Sequence, residues 1–170
     1  MISDTHGVLR PEVLDVFRGV DHILHAGDIG SEDVLDQLRG LAPVTACAGN
    51  VDGFRCGEAG ETAQVTLGGL RFLCVHVLDR PRAPRAALDP LLRKSDVVVF
   101  GHSHLPHDER IGDLWFFNPA SAGPRRFDYP VSVGLFEKRR DRWSARHVPL
   151  DVRSEAALPR TMNQLSRGRG

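Results

Sequence analysis

Apolar residues fall along this chain in short blocks, and the spacing within each block predicts an element. Behind Pro11, a residue suited to a first helical turn, Val13, Leu14 and Phe17 recur at helical spacing, which predicts a short amphipathic helix over 11–18. The compact apolar run 22–26 stops at Gly27-Asp28, and Ser31 then stands as an N-cap before Val34, Leu35 and Leu38. A further run, 44–48, ends in Gly49-Asn50. Strand, loop and helix alternate, so the front half reads β-α-β-α-β.

The middle changes character. Residues 62–67 and 70–75 flank Gly68-Gly69, the pattern of a tight antiparallel hairpin. Ala87, Leu88, Leu91 and Leu92 line one side of a helix over 84–94, and 97–100 follows as a strand apolar on both faces. Two more hairpins are predicted, over 109–118 around Gly112-Asp113 and over 131–149 around 139–142. A β-rich back half behind this front predicts an α/β fold, built as a two-sheet β-sandwich flanked by helices rather than one doubly wound sheet. One domain over 1–152 is expected, followed by a basic peripheral tail over 153–170.

Composition narrows the choice. A chain of 170 residues, 41% hydrophobic, buries one real core. Its 22 basic and 22 acidic residues balance, which argues against a general electrostatic grip on nucleic acid or an anionic membrane. Cys47, Cys56 and Cys74 are odd in number and lack CxxC spacing, so they read as small buried residues in a reducing compartment. No apolar run approaches the roughly 20 residues that span a bilayer, and the first residues read as no signal peptide. A soluble cytoplasmic protein is expected. The apolar hairpins leave an edge through which a homodimer is open.

The polar residues that carry chemistry gather where the strand-like runs end. Asp4 and His6 are two apart, and on an extended backbone residues i and i+2 share a face, so carboxylate and imidazole reach one ion. His102 and His104 repeat that spacing in a loop, where they clamp one metal or splay toward two. Asp28 follows a glycine and is free to bridge; Asn50 offers a carbonyl oxygen and His76 a nitrogen. These seven exceed what one tetrahedral ion needs and suit two ions sharing Asp28. Two divalent ions against Asp4, Asp28 and a hydroxide leave a small positive charge, a field for a phosphate ester. The mixed nitrogen and oxygen set favours manganese, iron, zinc, cobalt or nickel over calcium or magnesium, with manganese preferred.

Ser3-Asp4-Thr5-His6-Gly7, His25-Ala26-Gly27-Asp28, Gly49-Asn50-Val51-Asp52, Gly101-His102-Ser103-His104 and Asn118-Pro119-Ala120-Ser121 together resemble the ordered motifs of the calcineurin-like metallophosphoesterases. Within that family they are similar to the small one-domain bacterial and archaeal phosphodiesterases, to which the eukaryotic retromer scaffold subunit is related. The resemblance implies a four-layer α/β/β/α sandwich with Asp4, His6, Asp28 and His104 on one metal and Asp28, Asn50, His76 and His102 on the other. It implies in-line attack on phosphorus by a metal-activated hydroxide, with Asp28, Asn50 and His102 as the catalytic candidates. The alternative from another class is a scaffold that keeps the fold and binds a protein partner. The complete ligand set favours the enzyme.

Three departures shape the reading. Many phosphomonoesterases of the superfamily carry a histidine where Val51 stands, and it is thought to protonate the leaving group. Without that acid, difficult leaving groups lose about 10²-fold to 10⁴-fold, so a diesterase is preferred. Val77-Leu78-Asp79 replace the glycine and histidine that usually follow the residue matched by His76. Only Met1 and Ile2 precede Ser3 where a core strand is expected, which implies a clipped strand or an upstream start. Elsewhere, His25 is read as structural, Asp52 and Ser121 as loop-shaping, and Trp115, Phe116 and Phe117 as core. His22, His107, His147, Arg125 and Arg126 are read as surface residues, with contact to substrate for His107 and to a phosphate for the two arginines as the lesser readings.

Overall fold

Two β-sheets face each other in a computed structural model of the chain, which describes residues 1–53, 59–78, 90–126 and 128–150. In chain order the elements are α1 (Pro11–Val16), β1 (Ile23–Ala26), α2 (Glu32–Arg39), β2 (Val44–Cys47), β3 (Thr62–Leu67), β4 (Leu70–Val75), α3 (Pro90–Arg93), β5 (Val97–Val99), β6 (Pro106–Ile111), β7 (Leu114–Pro119), β8 (Ser132–Arg139) and β9 (Arg142–Pro149). The expected helix over 84–94 is described only across α3. Its remainder up to 89, together with Cys56, Asp79 and the tail 153–170, lies outside the described residues.

One sheet runs β3-β4-β5-β7-β6. Its middle strands are apolar on both faces: Val97, Val98 and Val99 of β5 are buried and pair in parallel with β4 and with β7. The edge strands β3 and β6 alternate exposed and half-buried positions, as strands with one wet face do. The Gly68-Gly69 and Gly112-Asp113 turns close the two hairpins in the expected register.

The other sheet is joined by the first residues of the chain. β1 and β2 form a parallel ribbon, and β8 and β9 an antiparallel one. Between them Ile2 donates to Leu24 O at 2.9 Å and accepts from Ala26 N at 2.9 Å, while Met1 O accepts the Gly134 amide at 2.8 Å. Met1 and Ile2 thus pair at the place where a core strand is expected before Ser3.

Side chains alternate accordingly. Met1 enters the core between the sheets with Leu24, Phe72, Val97, Val99 and Phe117, whereas Ile2 lies in the outer cluster with Val13 of α1, Phe17 just past its end, and Leu35 and Leu38 of α2. A third cluster, Val98, Phe100, Leu114 and Phe116, faces Leu92 of α3. Each large aliphatic or aromatic side chain buried in this way contributes about 1.5–3 kcal/mol. Trp115, Phe116 and Phe117 are core, as expected. Ser31 occupies the N-cap position of α2, but its side chain makes no capping bond. Among the described residues no helix is long and apolar enough to cross a membrane.

Candidate metal centre

The sandwich brings the C-terminal ends of β1, β2, β4 and β5 to one end of the molecule, and the chemistry-bearing residues sit just past them. Asp28 stands two residues beyond β1, Asn50 three beyond β2, His76 directly after β4 and His102 three beyond β5. Asp4 follows the Ile2 bridge. Strands from both sheets therefore feed one cluster.

Five of the seven sequence-predicted ligands meet there. The ligand atoms of Asp4, His6 and His104 lie within 4.8 Å of one another, and so do those of Asp4, Asp28 and His76. The two groups share Asp4, where the sequence placed the bridge on Asp28. Asp28 nonetheless faces both sides: Oδ2 is 3.7 Å from His6 Nε2 and Oδ1 is 3.3 Å from His76 Nε2. His104 Nε2 is 3.4 Å from Asp4 Oδ1. Asn50 and His102 are exposed and stand at the rim. The His102 ring lies 5.3 Å from that of His76, and its backbone N–H donates to Asp4 Oδ1 at 3.2 Å.

Backbone conformation sets these residues apart. Asp4, His6, Asp28, His102 and His104 all adopt left-handed φ values between 48 and 67°. A non-glycine residue there costs of order 1–3 kcal/mol and persists only where surrounding contacts fix it. Asp52 is one such brace: fully buried, it accepts Gly30 N–H at 2.8 Å and Gly49 N–H at 2.6 Å, tying the Asp28 loop to the Asn50 loop. Asn118 is another, donating to Gly101 O at 2.9 Å and Ser103 Oγ at 3.1 Å while accepting Ala120 N–H. Ser121 Oγ donates to Asp4 O at 3.0 Å.

The donors fit a metal. Asp4 Oδ2, His76 Nε2 and His104 Nδ1 are buried without a hydrogen-bond partner among the described residues. His76 Nδ1 donates to Ala26 O at 2.8 Å, so Nε2 carries the lone pair and points it, unaligned for a hydrogen bond, at the carboxylates. Burial works to raise the Asp28 pKa, but His76, the Val51 N–H and His6 prevail and hold it at about 2. Burial lowers the His6 pKa, Asp28 opposes this and Arg126 reinforces it. For His76 burial lowers the pKa, while Asp28 and the Ala26 carbonyl outweigh it and raise it.

The other histidines behave differently. His25 is fully buried, and its Nε2 lies 3.0 Å from Thr5 Oγ1, whose own proton goes to Ile29 O. It is structural, as read. His22, His107 and His147 are half-buried rather than free surface groups. His22 bonds Thr45, and His147 stacks on Phe117 at 4.5 Å and donates to Asn118 O at 2.7 Å. Arg126, also read as a solvated surface group, reaches His6 Nε2 at 3.4 Å. Val51 is 48% exposed, and its part in the site is its backbone N–H, donated to Asp28 Oδ1 at 3.1 Å. A cavity of about 740 Å³ opens at the opposite end of the sandwich, beside Phe17, Leu24, Phe136 and Trp143, and includes none of the candidate ligands.

Comparison with known proteins gives concordant findings. The family model described as calcineurin-like phosphoesterase superfamily domain matches residues 1–141. A probable metallophosphoesterase of Methanothermobacter thermautotrophicus is 37% identical over 141 residues, 78% of this chain and 82% of its own. Phosphodiesterase YfcE of Escherichia coli is 40% identical over 48 residues, 28% of this chain and 26% of its own. The solved structure of that phosphoesterase superposes with a TM-score of 0.59 at 28% identity, covering 78% of this chain and 84% of its own. Vps29 of Entamoeba histolytica, solved in complex with zinc, superposes with a TM-score of 0.67 at 22% identity over 87% of this chain and 96% of its own, a likeness of fold.

Proposed function

Since this chain belongs to the calcineurin-like phosphoesterase superfamily, we propose that it is a binuclear metal-dependent phosphodiesterase acting on a small or nucleotide-like phosphate ester. The observation that carries the reading is the convergence of the ligand atoms of Asp4, Asp28 and His76 and of Asp4, His6 and His104, with Asp4 Oδ2 and His76 Nε2 buried and unpartnered among the described residues. Asp4, His6, Asp28 and His104 would hold one divalent ion and Asp28, Asn50, His76 and His102 the other, with Asp28 turning one oxygen to each. Manganese is the preferred metal, with iron, zinc, cobalt or nickel able to use the same donors. When bound, two such ions supply Lewis acidity to phosphoryl oxygens and a hydroxide nucleophile at neutral pH.

The chain's own groups set what that chemistry accepts. The His76 lone pair is fixed by the Ala26 carbonyl, and Asp28 is ionised throughout the physiological range. Val51 has no proton to give, and its backbone N–H is already committed to Asp28. Esters with acidic leaving oxygens, or diesters whose leaving group draws its proton from water or another group, are therefore the expected substrates. YfcE of Escherichia coli, a relative named a phosphodiesterase and matched over 48 residues, supports that preference. We infer a cytoplasmic protein with no membrane partner, and its balanced charge disfavours a nucleic-acid partner.

One observation favours a second reading. Val51, Val77 and Leu105, each directly after a candidate ligand, are 44–48% exposed, as in a face that meets a protein. A scaffold built on this fold would use them. The deciding experiment is hydrolysis of a diaryl phosphodiester by manganese-loaded protein, beside the matching monoester, a chelated sample and Asp28→Ala. Diester turnover lost in both controls is expected. Bound metal with no turnover of either ester would move the assignment to the scaffold.

A further inference from the structure

We propose that Arg126 is a substrate-binding residue of this centre, holding a non-bridging phosphoryl oxygen of the ester. The inference rests on the phosphoesterase reading and goes beyond the metal ligands.

Arg126 lies far from every other site residue in sequence, yet its Nη2 stands 3.4 Å from His6 Nε2 at the mouth of the cluster. A run of backbone and side-chain bonds puts it there. Ala120 takes a left-handed turn, φ 67°, fixed by the Asn118 side chain. Ala122 N–H then donates to Ser3 O at 3.0 Å and Gly123 N–H to Asp4 O at 3.2 Å, so the loop lies directly on the backbone that carries Asp4. A side chain on Gly123 would overlap the carbonyls of Asp4 and Thr5. From the other side Arg10, 1% exposed, donates Nε and Nη2 to Gly123 O at 3.1 and 3.0 Å. Beyond the arginine, Tyr129 N–H closes a turn on Arg126 O at 3.2 Å. The Asn118-Pro119-Ala120-Ser121 motif, which supplies no ligand, thus serves as the base from which Arg126 reaches the centre.

The chemistry of the reach points to an anion. His6 is a candidate metal ligand, and a guanidinium beside it is poorly placed next to an ion unless a negative group lies between them. No carboxylate forms an ion pair with Arg126 among the described residues. Arg126 is itself exposed, so its head is free to turn toward substrate. A guanidinium N–H donated to a phosphoryl oxygen forms a charge-assisted bond about twice as strong as a neutral one, and any cation of similar reach supplies most of it. Its contribution is to binding, so it acts on KM more than on kcat.

The test titrates inorganic phosphate into the manganese-loaded parent, Arg126→Ala, Arg126→Lys and Arg125→Ala by calorimetry. It also measures kcat and KM on the aryl diester, manganese stoichiometry and Tm. Arg126→Ala should weaken phosphate binding about tenfold or more, as loss of one charged contact does, and raise KM in step. Manganese content and Tm should hold. Arg126→Lys should recover most of the loss, and Arg125→Ala should stay within about twofold of the parent. Phosphate binding by Arg126→Ala within twofold of the parent overturns the inference. So does a lysine variant as weak as the alanine one, an equal loss in Arg125→Ala, or a loss that travels with metal content or Tm. A parent that binds manganese but neither phosphate nor ester refutes the phosphoesterase reading itself, a result separable from one confined to the variants.

Discussion

Replacing Asp52 by asparagine should loosen the whole site without touching a ligand. The carboxylate is fully buried and accepts two backbone amides, Gly30 N–H at 2.8 Å and Gly49 N–H at 2.6 Å. Asparagine keeps the shape and one acceptor oxygen, but its NH₂ turns a donor toward the other amide. One hydrogen bond to a charged group, about 1.5–3 kcal/mol, is lost, and one amide is left facing a donor, a penalty of about 1–3 kcal/mol. A net cost of about 3 kcal/mol follows. Urea unfolding reads it directly. With a slope of about 1–3 kcal/mol per molar, the midpoint should fall by about 1–3 M at an unchanged slope. Asp15→Asn, on a side chain 75% exposed, is the control and should stay within about 0.5 kcal/mol of the parent. If Asp52→Asn matches that control, Asp52 does not brace the two loops, and the left-handed residues around it are held by something else.

Other outcomes follow from the same geometry. Burial lowers the His25 pKa to about 4, with Asp52 and Asp4 opposing, so between that value and 6.5 the unfolded chain binds more protons than the folded one. Stability present above pH 6.5 should decline toward pH 4 by on the order of 3 kcal/mol; urea midpoints across that range should fall less steeply in His25→Gln, and an equal fall would refute the assignment. A methyl group at Gly101 would overlap the Ser3 hydroxyl and come within 2.9 Å of Asp4 Oδ2. Gly101→Ala should therefore lose manganese binding in calorimetry as well as stability, and retention of both would be contrary to the packing. At His102, φ 67°, glycine should give a more stable metal-free protein than alanine by about 1 kcal/mol, because only glycine enters that region without strain. Thermal melts in chelator decide the order.

Much of the fold was legible because its signals are local. Gly68-Gly69 and Gly112-Asp113 place hairpin turns by their own backbone preferences, and the strands beside them appear in the expected register. The valines of β5 read as a doubly buried strand for the same reason. What escaped was set by distant partners. Nothing near Met1 and Ile2 in sequence announces that two residues will join β1 to β8, since the pairing partners, Leu24, Ala26 and Gly134, come from two other parts of the chain. His147 reads as a surface residue until β9 lays it on Phe117. The ligand types were likewise readable from their place at strand ends, but not from alternation, since Asp4 and His6 come together from left-handed rather than extended backbone, and the sharing of Asp4 between two compact groups is a fact of how two sheets meet. A phosphate contact was open to Arg126 from its charge alone, but nothing in the sequence separated it from Arg125, because its proximity to His6 depends on a loop packed on the Asp4 backbone.

These failures and successes have one physical source. Left-handed aspartate and histidine cannot be held by their own propensities, so the residues that would touch an ion are the ones least able to keep their place alone. Their positions are imposed by groups that touch no ion: Asp52 across the Asp28 and Asn50 loops, Asn118 across the 101–103 and 118–120 turns, and Arg10 with Gly123 behind Asp4. All three lie at crossings between chain segments far apart in sequence. Loss of one brace should therefore spread to several ligands at once, whereas loss of an exposed rim residue such as His102 should stay local. A chain of this family that kept every ligand but lost a brace would look intact by its motifs and hold its centre poorly.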